Sequence, residues 1–214
     1  MKERIKKLSS YLALLAFCMP GAGLQDLAGQ DETGKSSMPI YGNWEHFTTA
    51  DGLPDDKAYC VRVDGDRVWV GTKEGLAMYE DGIWQTFDVE DGLAHPGVLS
   101  IDVSELTGDV WIGTFGGLNR YSGGEFETFN QFNSGLPNDV IYSIACHDKD
   151  VWVATGGGAG RYDTYSERWD IYTERNAPMH EPWTYGVCTG GDRIYIAAWG
   201  GGVIEYNTAN GQFR

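Results

Sequence analysis

Basic residues are scarce in this sequence. Lysine and arginine together number 16, against 31 aspartate and glutamate residues among 214, so the formal net charge is −15. A surface of this sign repels phosphate backbones, sulfated polysaccharides and anionic membrane surfaces. We therefore expect no nucleic acid partner, and solubility is the simplest use of the charge.

Cysteines are also few, and their pattern excludes a disulfide framework. Of the four in the chain, Cys60, Cys146 and Cys188 follow the N-terminal segment, an odd number at irregular spacing. All three lie in strand-like runs, where we expect buried, inert thiols.

Catalytic and metal-binding motifs are missing. The four histidines are far apart, and none has a spacing that would put two metal ligands on one face. Cys146-His147 is the nearest approach and is interpreted as a coincidence at a strand end. The glycine runs at 156–160 and 200–202 precede a short strand rather than a helix, which favours hairpin turns over a nucleotide site. We expect no catalytic residue, no metal and no cofactor.

The long apolar run at the N terminus is too short to span a membrane, which needs roughly 20 apolar residues. Basic residues within 2–7, apolar residues at 8–19 and small residues at 20–23 have the order of a secretory signal. We predict a signal peptide at 1–23, a linker at 24–42 and export to the periplasm or cell surface. Cys18 resembles a lipoprotein acceptor, but Phe17 departs from that motif, so a lipid on Cys18 is the lesser alternative.

A strand-like segment recurs four times at intervals of about 42 residues. It comprises Val68-Trp69-Val70-Gly71-Thr72, Val110-Trp111-Ile112-Gly113-Thr114, Val151-Trp152-Val153-Ala154-Thr155 and Ile194-Tyr195-Ile196-Ala197-Ala198. Each copy is followed by a glycine-bearing turn and a second run that ends in tyrosine.

Two further features keep the same period. Aromatic pairs recur at Trp44/Phe47, Trp84/Phe87, Phe126/Phe129 and Trp169/Tyr172, and turn signals recur at Asp51-Gly52-Leu53-Pro54, Asp91-Gly92-Leu93-Ala94 and Ser134-Gly135-Leu136-Pro137. Each repeat thus holds four short β-runs, and four strands in a repeat of about 40 to 45 residues are typical of a propeller blade. We predict an all-β propeller with blades at 57–89, 97–130, 139–173 and 183–214, in which Trp69, Trp111 and Trp152 pack between blades.

The order Trp-x-x-Phe, Asp-Gly-Leu-Pro, Val-Trp-Val-Gly-Thr and Gly-Leu…Tyr resembles the two-component regulator propeller repeat of bacterial sensor proteins. The resemblance covers residues 44–213, and the last copy departs from it with Tyr195 and Ala198. It implies a sensory domain that recognises environmental molecules such as polysaccharide fragments.

The repeats begin out of phase, because residues 43–49 correspond to an outer strand without the three that should precede it. Such a strand is expected to close a ring by completing the last blade. Phe213, however, falls where a fifth aromatic pair would begin. Two arrangements are open: an incomplete part of a larger, about seven-bladed ring, or a compact four-bladed ring with a tail at 207–214.

In a propeller, the loops that enter the inner strands and the loops between the second and third strands meet at one mouth. This placement predicts a mouth of carboxylates, amides and aromatic rings able to hold a sugar or peptide. The alternative is that these residues are only polar loop tips. The candidates are Asp55, Asp56, His95, Asn138, Asp139, His180, Glu181, Trp183 and Trp199.

Two functions follow. The first is an exported, non-enzymatic sensing or interaction module with a glycan or peptide ligand and a signalling protein partner, its membrane link lying in a portion not present here. The second is a lyase similar to the streptogramin-inactivating propellers, with His95, His180 and Glu181 as its acid and base candidates. Fold alone does not decide between them.

Overall fold

A computed structural model describes residue 42 and residues 44–214. The predicted signal peptide, the lipid site at Cys18 and all of the predicted linker except residue 42 lie outside the described residues. The chain divides into two units, Met1–His46 and Phe47–Arg214, and every strand belongs to the second.

Every regular element of the described chain is a β-strand, and the strands form four antiparallel sheets of four. Blade 1 has β1 (Ala58–Asp64), β2 (Arg67–Thr72), β3 (Leu76–Glu80) and β4 (Ile83–Phe87). Blade 2 has β5 (Val98–Val103), β6 (Val110–Thr114), β7 (Leu118–Ser122) and β8 (Glu125–Phe129). Blade 3 has β9 (Ile141–His147), β10 (Asp150–Thr155), β11 (Gly158–Asp163) and β12 (Arg168–Tyr172). Blade 4 has β13 (Thr184–Thr189), β14 (Arg193–Ala198), β15 (Gly202–Asn207) and β16 (Gln212–Phe213).

The strands of each blade pair in sequence order, so the recurrent Val-Trp-Val run is always the second strand. The register of the first two strands defines equivalent positions in the four blades: Val61 pairs with Val70, Ile101 with Ile112, Ile144 with Val153, and Val187 with Ile196. The predicted all-β class with four four-stranded repeats is confirmed.

The hydrophobic core lies between blades rather than within them. Three buried clusters are present in the described chain, and each combines one blade with the next. In the first, Trp69 and Leu76 of blade 1 meet Val98, Val110 and Ile112 of blade 2. Because a four-stranded sheet cannot cover its own faces, each blade is stabilised by its neighbours.

The recurrent tryptophans are the largest side chains of these cores, as predicted. Each is fully buried and packs on the tyrosine that is the last residue but one of the third strand of the next blade. The ring centroids are 5.6 Å apart for Trp69 and Tyr121, 5.8 Å for Trp111 and Tyr162, and 4.9 Å for Trp152 and Tyr206. These distances lie in the range of favourable aromatic pairs.

The small residue after the Val-Trp-Val run lets the next blade approach. A Cβ atom on Gly113 would lie 2.4 Å from Ser100 Oγ and 2.7 Å from Ile141 Cγ2, and Ile141 begins the inner strand of blade 3. A Cβ atom on Gly71 would meet Val98 Cγ1 at 2.6 Å. The spacing of the blades therefore depends on glycine at these positions.

The segment before blade 1 differs from the predicted outer strand at 43–49, because residues 44–49 form no strand. Phe47 nevertheless packs on Tyr79 and Trp84, at centroid distances of 5.7 and 5.6 Å. A strand requires a backbone partner, and the outer position of blade 4 is taken by β16, which pairs with β15 at Tyr206 and Asn207.

The four blades form an open arc. The inner strands β1, β5, β9 and β13 contact one another in that order, with no comparable contact between β13 and β1 in the described chain. Val61 of blade 1 is 66% exposed, whereas its equivalent Val187 in blade 4 is 7% exposed. The compact four-bladed ring is therefore not formed. Cys188 is exposed on the free side of blade 4, so the prediction of a buried thiol is wrong at that position.

We predict that Gly113→Ala lowers the free energy of unfolding by about 2 kcal/mol, since the added methyl group must push blades 2 and 3 apart. Gly186→Ala is the matched control, because the nearest atom to its added Cβ is 3.6 Å away. Urea unfolding measures both. Equal stability of the two variants would contradict close packing at Gly113.

Candidate functional site

The loops predicted to form the mouth do lie at one end of the blades. The residue that follows the second strand donates its amide to the carbonyl just before the first strand: Phe115 to Gly97 at 3.2 Å, and Trp199 to Trp183 at 2.8 Å. Lys73 and Lys57 make the same bond at 3.0 Å in blade 1. These bonds join the two loops of each of these blades at the mouth.

Three candidate side chains close their own turns. Oδ1 of Asp55 accepts the amide of Lys57 at 2.7 Å, and Oδ1 of Asn138 accepts the amide of Val140 at 2.9 Å. Nδ1 of His95 accepts the amide of Gly97 at 2.9 Å. All three occupy the same repeat position, and each pairs with the residue two places ahead, so the side chain shapes the turn into the inner strand.

Two further candidates, Asp56 and Asp139, hold the loop that precedes them. Oδ1 of Asp56 accepts the amide of Thr49, and Oδ1 of Asp139 accepts the amide of Gln131, both at 2.7 Å. Each carboxylate thus retains one oxygen free of these bonds. Ligand binding by these five residues stays a prediction, but their local hydrogen bonds give them a structural role.

The bond at His95 also limits its chemistry. With Nδ1 accepting from an amide, the neutral imidazole carries its proton on Nε2, which then has no lone pair for abstracting a proton. The ring packs edge-on against Phe115, at a centroid distance of 5.7 Å. His180 and Glu181 are exposed on the loop before blade 4. This geometry does not favour His95 as a general base.

Aromatic side chains dominate the mouth beside blade 4. The Tyr142 and Tyr185 rings are 4.7 Å apart, and Tyr185 and Trp199 are 5.5 Å apart. Trp183 lies next to them through its backbone bond to Trp199, and the exposed members of the group are Trp183, Tyr185 and Trp199. We call Tyr142, Trp183, Tyr185 and Trp199 the aromatic platform.

Sequence reasoning found the two tryptophans of the aromatic platform but missed the two tyrosines. Tyr142 and Tyr185 occupy the second position of their inner strands, as Tyr59 does in blade 1. A register shift accompanies this position in all four blades, and such a shift re-aims a side chain. The repeated tyrosine was visible in the sequence, whereas the irregularity in the strand was not.

A second concave region lies at the opposite end of the inner strands. It is a cavity of about 630 Å³ lined by residues of all four blades, including Arg62, Asp102, Cys146 and Val187. Asp102 connects three blades there: Oδ1 lies 3.0 Å from Arg62 Nη2, and Oδ2 accepts the Cys146 amide at 2.7 Å. These bonds engage both carboxylate oxygens of Asp102 in contacts between blades.

Two of the three inner-strand thiols, Cys60 in β1 and Cys146 in β9, are shielded from solvent on most sides. Burial raises the pKa of Cys60 to about 12. Burial also raises the pKa of Cys146, and the Asp102 carboxylate raises it further. Since the thiolate is the nucleophile and the metal ligand, the raised pKa disfavours both roles for Cys60 and Cys146 at neutral pH. Among the described residues, no group of three or more His, Cys, Asp and Glu side chains is placed to hold a metal ion.

No protein-family model and no curated protein sequence matches the chain. Several solved structures, however, are similar to it. The extracellular domain of the proposed hybrid two component system BT3049 from B. thetaiotaomicron superposes with a TM-score of 0.69 at 18% identity, covering 79% of this chain and 26% of that one. The extracellular domain of the proposed one component system BT4673 from B. thetaiotaomicron gives 0.64 at 21% identity, covering 80% and 23%. The chain is a β-propeller segment.

The propeller segment spans about a quarter of the length of those two extracellular domains. An ancestral GH74 enzyme is also similar, with a TM-score of 0.58 at 14% identity, covering 76% of this chain and 26% of that one. Sensor domains and an enzyme thus share the architecture, and the fold does not decide the function. Among the described residues of the segment, no helix is long and apolar enough to cross a membrane.

We predict that Asp139→Ala destabilises the fold by about 1 kcal/mol, because it removes the acceptor of the Gln131 amide. Asp139→Asn keeps an acceptor oxygen at the same place and should retain most of the stability. Thermal unfolding of the two variants measures the difference. Equal stability of Asp139→Ala and the unsubstituted protein would contradict this structural role and leave Asp139 as a ligand candidate.

Proposed function

We propose that this propeller segment is an exported recognition module that binds a glycan at the aromatic platform, without catalysis. Exposed aromatic rings in a rigid loop frame stack on the apolar face of a sugar ring, while neighbouring polar groups orient it. The observation that carries the proposal is the continuous run of Tyr142, Tyr185 and Trp199 beside the exposed Trp183.

The charge of the chain narrows the ligand class. A net charge of −15 disfavours sulfated or uronic polysaccharides, because the protein field repels anions. The free carboxylate oxygens of Asp56 and Asp139 add to that field at the mouth. A neutral oligosaccharide is the ligand we propose, and a short peptide with a neutral or basic side chain is the alternative.

The cellular role that we propose is the sensory part of a two-component-type signalling system in the periplasm or at the cell surface. Three observations support it: the signal-like N terminus, the repeat motifs, and the similarity to extracellular domains of proposed bacterial sensor systems. Transmission of the signal then requires a protein partner or a further portion of the protein. The lyase alternative is not favoured, because Nδ1 of His95 accepts the Gly97 amide.

The test is an array of neutral oligosaccharides, probed with the purified protein and followed by calorimetric titration of each hit. We predict that Trp183→Ala combined with Trp199→Ala weakens binding of a hit at least about tenfold, which corresponds to the loss of about 1.4 kcal/mol of stacking.

Tyr165→Ala is the matched control. Its ring is exposed on a hairpin at the other end of blade 3, and it should bind as the unsubstituted protein does. Unchanged affinity of the double tryptophan variant would remove the aromatic platform from the site. An array without any hit would contradict a glycan ligand.

A further inference from the structure

One position at the mouth departs from the repeat. The residue that follows the second strand is Lys73 in blade 1, Phe115 in blade 2 and Trp199 in blade 4, but it is Gly156 in blade 3. A side chain therefore stands at this position in three blades and is missing in blade 3. Because the inner strand of blade 3 contacts the inner strands of blades 2 and 4, the gap is an internal feature of the arc.

The backbone bond made at this position is also missing in blade 3. In the other three blades, the amide of the residue after the second strand donates to the carbonyl before the first strand, at 3.0, 3.2 and 2.8 Å. The counterpart of that carbonyl in blade 3 belongs to Val140. Within the described chain, the Gly156 amide bonds neither to Val140 nor to any other backbone carbonyl. Gly156, which is half-buried, therefore presents an unused donor at the mouth.

Two further donors border the gap left by the missing side chain. A Cβ atom placed on Gly156 would lie 3.7 Å from Nε1 of Trp183, 3.6 Å from Oδ1 of Asn138 and 3.7 Å from its Cγ. Oδ1 of Asn138 accepts the Val140 amide, whereas neither Nδ2 of Asn138 nor Nε1 of Trp183 donates to another described residue. We call Asn138, Gly156 and Trp183 the donor slot.

The donor slot adjoins the aromatic platform. Trp183 belongs to both, and Tyr142 lies at the register shift opposite Ala154 and Thr155, directly before Gly156. A sugar that stacks on the platform beside Trp183 therefore also covers the slot. Covering the N–H groups removes their water, and this costs free energy unless the ligand supplies hydrogen-bond acceptors in return.

The chemistry of the slot favours a neutral carbonyl oxygen. Such an oxygen has two lone pairs, so it accepts from two donors at once. A carboxylate would also accept, but Asp139 follows Asn138 directly and keeps one carboxylate oxygen free of its bond to Gln131. That charge and the net charge of −15 repel an anionic group.

We propose that the donor slot recognises the acetamido group of an N-acetylated amino sugar. The inference rests on the proposed function and names the class of neutral glycan that the aromatic platform binds. The sugar ring stacks on the platform, and its acetamido carbonyl accepts from the Gly156 amide and from Nε1 of Trp183. The acetamido methyl group lies in the gap where the other blades carry a side chain.

Calorimetric titration with two trisaccharides tests the proposal. Triacetylchitotriose and cellotriose differ only at the second carbon of each ring, which carries an acetamido group in the first and a hydroxyl in the second. We expect the unsubstituted protein to bind triacetylchitotriose at least about tenfold more tightly, because cellotriose leaves the donors without their acceptor.

Gly156→Ala fills the gap with a methyl group and should be tolerated by the fold, since the nearest atom to the added Cβ is 3.6 Å away. We expect it to weaken binding of triacetylchitotriose at least about tenfold, to the level of cellotriose. Gly186→Ala is the matched control, because its added Cβ also has its nearest atom at 3.6 Å, outside the donor slot. It should keep the preference for the acetylated sugar. Thermal unfolding checks that both variants are folded.

Trp183→Phe separates the slot from stacking. The substitution removes the indole N–H and keeps an aromatic ring, so it should lower the preference for triacetylchitotriose about fivefold, the effect of one hydrogen bond. An unchanged preference in both Trp183→Phe and Gly156→Ala would overturn the role of the donor slot.

The outcomes also distinguish this inference from the proposed function. Cellotriose binding as tightly as triacetylchitotriose, or array hits that all lack an acetamido group, would overturn the inference and leave glycan binding in place. An array without any hit would overturn both. A tripeptide blocked at both ends that binds more tightly than triacetylchitotriose would assign the slot to peptide carbonyls and overturn the inference.

Discussion

The structure depends on the contact in which the tryptophan of one blade packs on the tyrosine of the next. Trp69, Trp111 and Trp152 are fully buried, and each belongs to a cluster that spans two blades. Burial of these large aromatic surfaces is the main favourable contribution to the free energy of folding. Gly71 and Gly113 allow neighbouring sheets to lie close enough for this packing. Each blade is therefore stable only in the company of its neighbours.

The dependence of each blade on its neighbours explains why apolar residues are exposed at both ends of the arc. A blade without a neighbour exposes the residues that would otherwise be buried, as at Val61 and Val203. The same constraint sets the positions of the mouth loops, because the loops are carried on strand ends that the blade cores fix in place. The placement of the mouth loops and the stability of the blades thus have the same origin in the repeat.

Much of the fold was predictable from sequence, because a period of about 42 residues with a fixed order of motifs is a strong signal. The four sheets and the burial of Trp111 followed from it. The lack of a strand at 44–49 did not, since a strand depends on a backbone partner that local sequence does not specify. The exposure of Cys188 also depended on the absence of a neighbouring blade.

The candidate site was less predictable. Loop position placed Asp55, Asn138 and Asp139 at the mouth, but hydrogen bonds to Lys57, Val140 and Gln131 engage their side chains in turns. The sequence does not distinguish a polar residue that shapes a loop from one that meets a ligand, because both are short and polar. Trp183 and Trp199 are exposed at the mouth, where their loop positions had placed them. The tyrosines beside them could be assigned to the aromatic platform only from the register of the inner strands.

A double-mutant cycle on Trp111 and Tyr162 tests the central contact most directly. The two rings lie 5.8 Å apart across the contact between blades 2 and 3. From the unfolding free energies of Trp111→Ala, Tyr162→Ala and the double variant, we expect a coupling energy of about 1 kcal/mol. Strictly additive losses would show that the two blades are held together by something other than this aromatic contact.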